Sequence, residues 1–492
     1  MIETKKTNYG YILGLAIVSA IAGLLFGFDI GIISGALPFI AKTFNIISGK
    51  ASHLSYLLFG FIPVSGTFLQ EFIVAAVPGG ALIGAIISAK FARNLGRRRS
   101  IILTGVLFFF GTLMAVLSPS ADLLIISRLI MGFAVGVSAT IVPMYLAEVS
   151  PPSIRGATIF LYQMAVTVGI FSSAIINYIF ATIPNPSWRW MFAIGLIPSA
   201  FLSIGMYMLP SSPRWLVRRG EMKLAEEALK KLRNTDDVAL ELADIKDSLQ
   251  HAEHGLKVLF SKRFRPLVII AFGLFVFQQL TGINTIFYYA PTIFENAGFH
   301  GVQGAITAAL ATTGINVLAT LVGIWLVDSL GRRKLLSIGL TGIVICMFIM
   351  GAAYHHWFPN EHWVLLVGVL LFITCFAFSI GGIPYILMSE VFPLNVKTVG
   401  MAVASCANWG FNWLVASTFL TLVDGIGIGN ADWLYAFFSV LALIFVLTLV
   451  PETKNRSLED ITRNLYRDVP MRHLGDPVTE DGGQRTEDRK YV

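Results

Sequence analysis

Long apolar runs dominate this sequence and restrict what it can fold into. Twelve of them, each near or above the roughly 20 residues that cross a bilayer core as a helix, follow one another along the chain. They are continuous rather than alternating, and a helix satisfies its own backbone hydrogen bonds in lipid, so they predict helices rather than strands. With 55% hydrophobic and only 13% charged residues, the chain has more apolar surface than a water-soluble core can hide. The runs are approximately 9–33, 71–91, 101–117, 123–147, 157–180, 190–209, 267–294, 306–327, 335–354, 363–388, 399–423 and 433–450.

An internal repeat divides the chain into two halves. LGRRR at 95–99 recurs as LGRRK at 330–334, EVSP at 148–151 recurs as EVFP at 390–393, and PSSPR from 210 is echoed by PETK from 451. Three motifs in one order at nearly one offset predict two homologous six-helix halves of the same topology, with a substrate site at their interface. The predicted fold class is therefore an all-α membrane protein of twelve transmembrane helices in two parallel repeats.

The predicted domains follow from this repeat. Residues 1–210 form the first six-helix half and 266–452 the second, while 211–265 shows apolar residues at helical spacing between charges and predicts a small helical linker domain. The tail, 453–492, is polar towards its end and is expected to be disordered. The basic connections at 93–99, 214–265 and 332–334 place the linker and both termini in the cytoplasm of a multi-pass protein of the cell membrane.

The remaining composition excludes several classes. The net charge of +7 is scattered among loops without interleaved aromatics, so no nucleic-acid partner is expected. The three cysteines lie in apolar runs without metal-ligand spacing, and no nucleophile and base set is visible. We expect no metal, no cofactor and no catalytic residues. The expected surroundings are the lipid bilayer, and the expected state is a monomer.

Polar residues inside the apolar runs are the candidates for a ligand site. Carboxamides both donate and accept hydrogen bonds, as sugar hydroxyls require, and aromatic rings cover the apolar faces of a sugar. An isolated amide in such a helix more often holds helices together, but here several cluster beside the Thr281–Gly282 pair, where a bend could bring Gln279 and Asn284 to one side. The candidates are Phe26, Gln163, Gln278, Gln279, Asn284, Tyr288, Asn316, Gly381, Tyr385, Asn408 and Trp409.

Two charged residues lie where charge is expensive. Asp29 falls in the middle of the first run and Arg128 early in the fourth, so each should face the bundle interior and pair with the other. Such a pair can be purely structural. Alternatively, a movement that separates it could let Asp29 take up and release a proton, since burial and a nearby arginine act on its pKa in opposite directions.

The motifs together resemble the sugar porter family of the major facilitator superfamily, over nearly the whole chain. They are FGFD at 26–29, Arg128, the two GRR loops, EVSPPSIR at 148–155, PSSPRWL at 210–216, QQLTGIN at 278–284, YYAP at 288–291 and PETKNRSLED at 451–460. The resemblance implies alternating access and a monosaccharide substrate, with Gln163, Gln279, Asn284 and Trp409 at sugar-contacting positions. It also implies proton coupling, because the family's bacterial symporters carry an acid at the position of Asp29 and animal facilitative carriers an asparagine.

The resemblance implies a gate at the cytoplasmic helix ends, in which salt bridges between helices close that side and break when it opens. Exposed pairs are individually weak, and the basic residues also set topology, so only a network would favour one state. The gate residues are Arg93, Arg97, Arg98, Glu148, Arg155, Asp328, Arg332, Arg333, Glu390 and Lys397. Family departures include Tyr385 in place of tryptophan, Ser211 in place of glutamate and Lys397 in place of arginine.

The sequence therefore predicts import of a monosaccharide by proton symport. Ile170 stands where xylose symporters of the family have a second glutamine, which favours a hexose such as glucose over xylose. A facilitative uniporter and a polyol or cyclitol carrier stay open. A non-transporting sugar sensor usually has a long signalling tail, and only about 40 residues follow the last run.

Overall fold

The computed structural model describes residues 8–46, 54–57, 62–151, 154–181, 183, 187–235, 237–250, 256–299, 302–393, 396–454, 456, 458–467 and 469–476. The first half contains α1 (Tyr9–Thr43), α2 (Gly66–Asn94), α3 (Arg97–Val116), α4 (Ala121–Val149), α5 (Arg155–Phe180), α6 (Ser187–Ala193) and α7 (Leu196–Met208). Between α1 and α2, strands β1 (Leu54–Leu57) and β2 (Ile62–Ser65) pair antiparallel, a hairpin that the apolar runs did not predict.

The second half has more numerous and shorter helices. They are α12 (Arg265–Leu280), α13 (Ile283–Asn296), α14 (Val302–Leu330), α15 (Arg332–Tyr354), α16 (Glu361–Phe378), α17 (Ile383–Val391), α18 (Lys397–Ala416), α19 (Phe419–Ile426) and α20 (Ile428–Leu449). Three of the predicted spans are broken here, between α12 and α13, α16 and α17, and α18 and α19. The breaks concentrate in the half that carries most of the intramembrane amides.

Eleven segments within the described ranges are long and apolar enough to cross a membrane. The twelfth predicted span corresponds to α18 and α19; α18 packs against α2 and α12, but its two asparagines, Asn408 and Asn412, lower its hydropathy. With it, the predicted class of an all-α membrane protein with two six-helix halves is confirmed.

Close helix contacts in the first half depend on glycine. A Cβ on Gly27 of α1 would lie 1.8 Å from the carbonyl oxygen of Val166 on α5, and one on Gly169 of α5 would lie 2.2 Å from that of Leu24 on α1. Neither position has room for a side chain. Small residues of this kind let helix backbones approach in lipid, where no hydrophobic effect drives helices together.

The segment between the halves contains α8 (Pro213–Arg218), α9 (Met222–Arg233), α10 (Ala239–Gln250) and α11 (Leu256–Leu259). Trp215 and Leu216 of α8 pack with Ala225 and Ala228 of α9 in a small separate core. Arg233 joins this linker to the first half, because its guanidinium binds the carboxylate of Glu241 and donates to the backbone oxygen of Val149.

The expectation of a disordered tail is wrong for its first part. Helix α21 (Leu458–Tyr466) and a 3-10 turn (Met471–His473) follow the second half. Ile461, Leu465 and Leu474 are buried, and the first two are one helical turn apart, so an apolar face docks this helix. Residues 477–492 lie outside the described part of the chain.

Candidate functional site

A cavity of about 140 Å³ lies between the two halves. Its wall combines α1 and α5 of the first half with α12, α13, α14, α16, α17 and α18 of the second. Phe160 and Val327 in that wall are close to the helix ends that carry Arg155 and Arg332. The cavity therefore reaches towards the end of the bundle that carries the basic motifs, which we call the arginine end.

A second cavity between the halves is much smaller, about 20 Å³. It lies away from the arginine end and is lined by Ser34 and Asn177 of the first half and by Pro291 and Thr313 of the second. The two cavities differ about sevenfold in volume, so the path between the halves is wide on the side of the arginine end and narrow on the other.

Amide side chains form a connected hydrogen-bond network on the wall of the large cavity. Gln279 donates from Nε2 to Asn408 Oδ1 (2.6 Å) and to Gln278 Oε1 (3.3 Å). Asn284 donates from Nδ2 to Gln279 Oε1 (2.5 Å). Gln278 donates from Nε2 to the backbone oxygens of Ile380 (2.7 Å) and Gly381 (3.0 Å). The network thus joins α12, α13 and α18 to the break before α17.

The backbone at Gly282 is what brings Gln279 and Asn284 together. On a regular helix these residues would point about 140° apart. Gly282 instead adopts φ +82°, a left-handed conformation that ends α12 and starts α13. Glycine occupies this region without steric penalty. The predicted bend at Thr281–Gly282 is therefore confirmed, and it allows the hydrogen bond between Gln279 and Asn284.

Most of the remaining candidates lie on the same wall. Tyr385 is 40% exposed, so the cavity is open to solvent there. Phe26 lies edge-on to Trp409, with ring centroids 5.2 Å apart. The predicted residues that line the cavity are Phe26, Gln163, Gln278, Gln279, Asn284, Asn316, Gly381, Tyr385 and Asn408.

Two of the predicted residues lie behind the wall. Trp409 is 2% exposed and Tyr288 1% exposed, and neither lines the cavity. Tyr288 donates from its hydroxyl to Asn412 Oδ1 (3.3 Å), and Asn412 does line the cavity. Sequence analysis missed Asn412, although it follows Asn408 by four residues and so faces the same side of α18.

Asp29 and Arg128 form the expected pair within the first half. Arg128 Nη1 lies 3.4 Å from Asp29 Oδ1, and the two side chains are 0% and 2% exposed. Arg128 also donates from Nε to the backbone oxygen of Ile73 (2.7 Å), and its guanidinium lies over the ring of Phe192. Asp29 Oδ2 and Arg128 Nη2 have no hydrogen-bond partner among the described residues. The Tyr288 hydroxyl lies within electrostatic reach of both groups.

The predicted gate residues form two matching clusters at the arginine end. In the first half, Arg97 Nη2 lies 2.7 Å from Glu148 Oε1, and Ser212 donates to Glu148 Oε2 (2.5 Å). In the second half, Arg332 Nη2 lies 2.8 Å from Glu390 Oε1, with the exposed Asp328 at 3.4 Å from Nη1. Thr453 donates to Glu390 Oε2 (2.5 Å), as Ser212 does to Glu148.

Each of the two ion pairs lies within its own half, and both pairs are formed although the cavity reaches towards this end. They do not themselves join the halves here, so their role as a gate between halves stays a prediction. Of the other gate candidates, Arg98 donates to the backbone oxygens of Met206 and Tyr207, Arg333 to that of Leu447, and Lys397 to that of Ser389.

Arg93 and Arg155 differ from the other gate candidates. The backbone oxygen of Arg93 accepts a hydrogen bond from the Trp215 indole, and that of Arg155 accepts one from the Thr158 hydroxyl. Arg155 is exposed at the start of α5 in the first half, and Lys397 starts α18 in the second.

The fold and the cavity define a class of protein, a polytopic membrane carrier of two repeated halves with a polar site between them. The family described as "Sugar (and other) transporter" matches residues 15–465. The chain belongs to this sugar porter family of the major facilitator superfamily.

Individual relatives cover almost the whole chain. A galactose-proton symporter of Escherichia coli is 37% identical over 96% of this chain and 98% of its own length. A D-xylose transporter of Levilactobacillus brevis is 37% identical over 94% of this chain and 96% of its own. Among solved structures, the partially occluded inward-open form of the xylose transporter XylE from E. coli superposes with a TM-score of 0.78, at 30% identity, over 91% of this chain and 100% of that one.

Proposed function

We propose that this protein imports a monosaccharide together with a proton by alternating access of the cavity between its halves. The observation that carries the proposal is the amide wall formed by Gln278, Gln279, Asn284 and Asn408. A sugar needs many neutral groups that both donate and accept hydrogen bonds, and a wall of carboxamides supplies them without a fixed charge.

A proton as the coupling ion is supported by the geometry around Asp29. Its carboxylate is buried beside a single arginine at 3.4 Å, longer than a close charge-assisted hydrogen bond, and its second oxygen has no partner among the described residues. Tyr288 binds Asn412 on the cavity wall, and its hydroxyl lies within electrostatic reach of Asp29 and Arg128. Sugar binding at the wall can therefore change the surroundings of Asp29 through one intervening side chain.

A hexose is the proposed substrate. Ile170, which stands where xylose symporters of the family have a glutamine, lines the cavity, so an apolar group occupies that part of the wall. A galactose-proton symporter and a D-xylose transporter are equally identical in sequence to this chain, so overall identity does not indicate whether the substrate is a hexose or a pentose. The local chemistry of the wall favours the hexose.

We also propose that the arginine end faces the cytoplasm of the cell in which the protein lies in the plasma or inner membrane, and that the protein acts as a monomer. Basic residues in short connections are retained on the cytoplasmic side. With this orientation, the cavity described above is open inwards.

Uptake by purified protein in liposomes tests the proposal. Radiolabelled glucose, galactose, xylose, arabinose and inositol would be compared with and without an inward proton gradient. The proposal expects gradient-dependent accumulation of a hexose above the others. Equal uptake of a hexose with and without the gradient would identify a facilitative uniporter, the second candidate, and accumulation of inositol alone would contradict the assignment to a monosaccharide.

A further inference from the structure

Two acids, the buried Glu71 of the first half and the exposed Asp424 of the second, interact across the halves at the end opposite to the arginine end. Glu71 lies in the first turns of α2 and Asp424 in α19. The backbone N–H and the hydroxyl of Thr421 donate to the two Glu71 carboxylate oxygens, at 2.7 and 2.6 Å. In return, Thr67 donates from its hydroxyl to Asp424 Oδ2 at 2.7 Å. We call this reciprocal set of four residues the threonine–acid lock.

The lock joins the two halves where the path between them is narrow. Helix α2 starts beside the lock and ends at Asn94, next to the basic loop, so the lock and the arginine end are about 35 Å apart at 1.5 Å per residue. Each acid therefore binds a threonine of the other half, whereas the ion pairs at the arginine end bind within a half. The small cavity lined by Ser34 lies at the narrow end too.

We propose that the threonine–acid lock holds this end of the carrier closed, and that its release opens the path to the opposite side of the membrane. This inference rests on the alternating access proposed above. Glu71 is 1% exposed, and a buried carboxylate requires hydrogen-bond partners. In the closed form donors from both halves supply them to the two acids. In an open form water replaces those donors, so the exchange needs no large energy and can be reversed in each cycle.

The lock also explains why the acid Glu71 stands at the start of an apolar span, where it is not needed to set the membrane topology. An acid at the start of an apolar span is costly unless it is paired. Hydrogen bonds to an ionised acceptor are stronger than neutral ones, and Glu71 receives two of them from Thr421 and another from the backbone of Leu420, which together hold α19 against α2. Sequence analysis placed Glu71 at the edge of the second apolar run and gave it no role.

Distances between spin labels across this end test the lock. Trp190 of the first half and Trp363 of the second are exposed at this end and away from the lock, so each would be replaced by a labelled cysteine after Cys346, Cys375 and Cys406 are changed to alanine. We expect Glu71→Ala to raise the ratio of the long-distance to the short-distance population by roughly tenfold, because the charge-assisted hydrogen bonds that Glu71 accepts are lost only in the closed form. Asp424→Asn should shift it in the same direction by a smaller factor.

The controls separate a lock from a general loss of structure. Thr421→Val removes one hydroxyl and keeps both the carboxylate and the backbone N–H, so it should give a partial shift even if Glu71→Ala fails to fold. Glu361→Ala removes an acid at the same end that pairs with His356 within one half, and should leave the distances unchanged. A shift in the lock variants together with an unchanged Glu361→Ala supports the proposal.

The opposite result overturns it: unchanged distances in Thr421→Val and Asp424→Asn, or an equal shift in Glu361→Ala. The distances are measured without sugar or a proton gradient, and the same variants are then assayed for uptake. Shifted distances in a protein that carries no sugar would keep the lock and reject the proposed function. Unchanged distances beside normal uptake would reject the lock alone.

Discussion

Replacing Gln279 by alanine removes the centre of the amide network. Its side chain donates to Asn408 and Gln278 and accepts from Asn284, at 2.6, 3.3 and 2.5 Å. On the proposed site we expect the sugar to lose at least one partner, and a hydroxyl left buried and unsatisfied costs about 1 to 3 kcal/mol. That corresponds to roughly a 5- to 150-fold rise in Kd. The protein should still fold, because the amide faces a cavity rather than a packed core.

Calorimetric titration of the purified protein with the transported hexose measures this change. Asn284→Ala should weaken binding by a similar factor, since it binds the same glutamine. Asn430→Ala is the matched control, because it removes an exposed asparagine that bonds His355 far from the cavity. If Gln279→Ala and Asn284→Ala both bind the sugar with unaltered affinity, the site lies elsewhere.

Two further changes test other parts of the structure. Gly282→Ala forces an L side chain into φ +82° and places its Cβ 3.0 Å from the Tyr435 ring. We expect about 1–2 kcal/mol of destabilisation, measured as a lower Tm. Gly410→Ala is the control, because the space around its Cβ is open and its Tm should not fall. An equal Tm in both would contradict the role given to the Gly282 backbone. Glu148→Gln with Glu390→Gln removes the charges that bind Arg97 and Arg332. The gate prediction has these charges bridge the halves when this end closes, so it expects the population open at the arginine end to rise by about two- to fivefold, as for individually weak pairs. Unchanged spin-label distances across that end would mean that these motifs only set the membrane topology.

Sequence analysis predicted the features that follow from how single residues behave in lipid. It used the length of the apolar runs and the free energy of burying a charge. Apolar runs locate the spans because lipid requires them, and the expense of charge in lipid predicts that Asp29 and Arg128 meet. The bend at Gly282 was predictable because two amides that had to cooperate were out of phase on a regular helix. In each case a physical requirement of the residues themselves was enough to predict the local structure.

Features that depend on how helices rotate and dock against each other were not predictable in this way. Tyr288 shares its helix with Asn284 but lies behind the wall, because α13 turns Ile283, Asn284 and Phe287 towards the cavity while the Tyr288 hydroxyl binds Asn412 of α18. The lock required knowing that α2 and α19 touch, although they are about 350 residues apart in sequence. The helix in the tail was passed over because the polar residues beyond 476 dominated the composition, although Ile461 and Leu465 show helical spacing.

Asp29 carries the claim of proton coupling, and its amide variant tests that claim most directly. Asp29→Asn keeps the size of the side chain and an acceptor for Arg128 but fixes it in a neutral form, as if permanently protonated. Glu361→Gln is the matched control, because it removes an acid that is 38% exposed and pairs with His356 away from the cavity and the gate. The measurement is hexose accumulation in liposomes under an inward proton gradient, beside counterflow exchange without one. The account predicts that Asp29→Asn loses accumulation but keeps exchange and that Glu361→Gln keeps both; accumulation by Asp29→Asn in response to the gradient would contradict it.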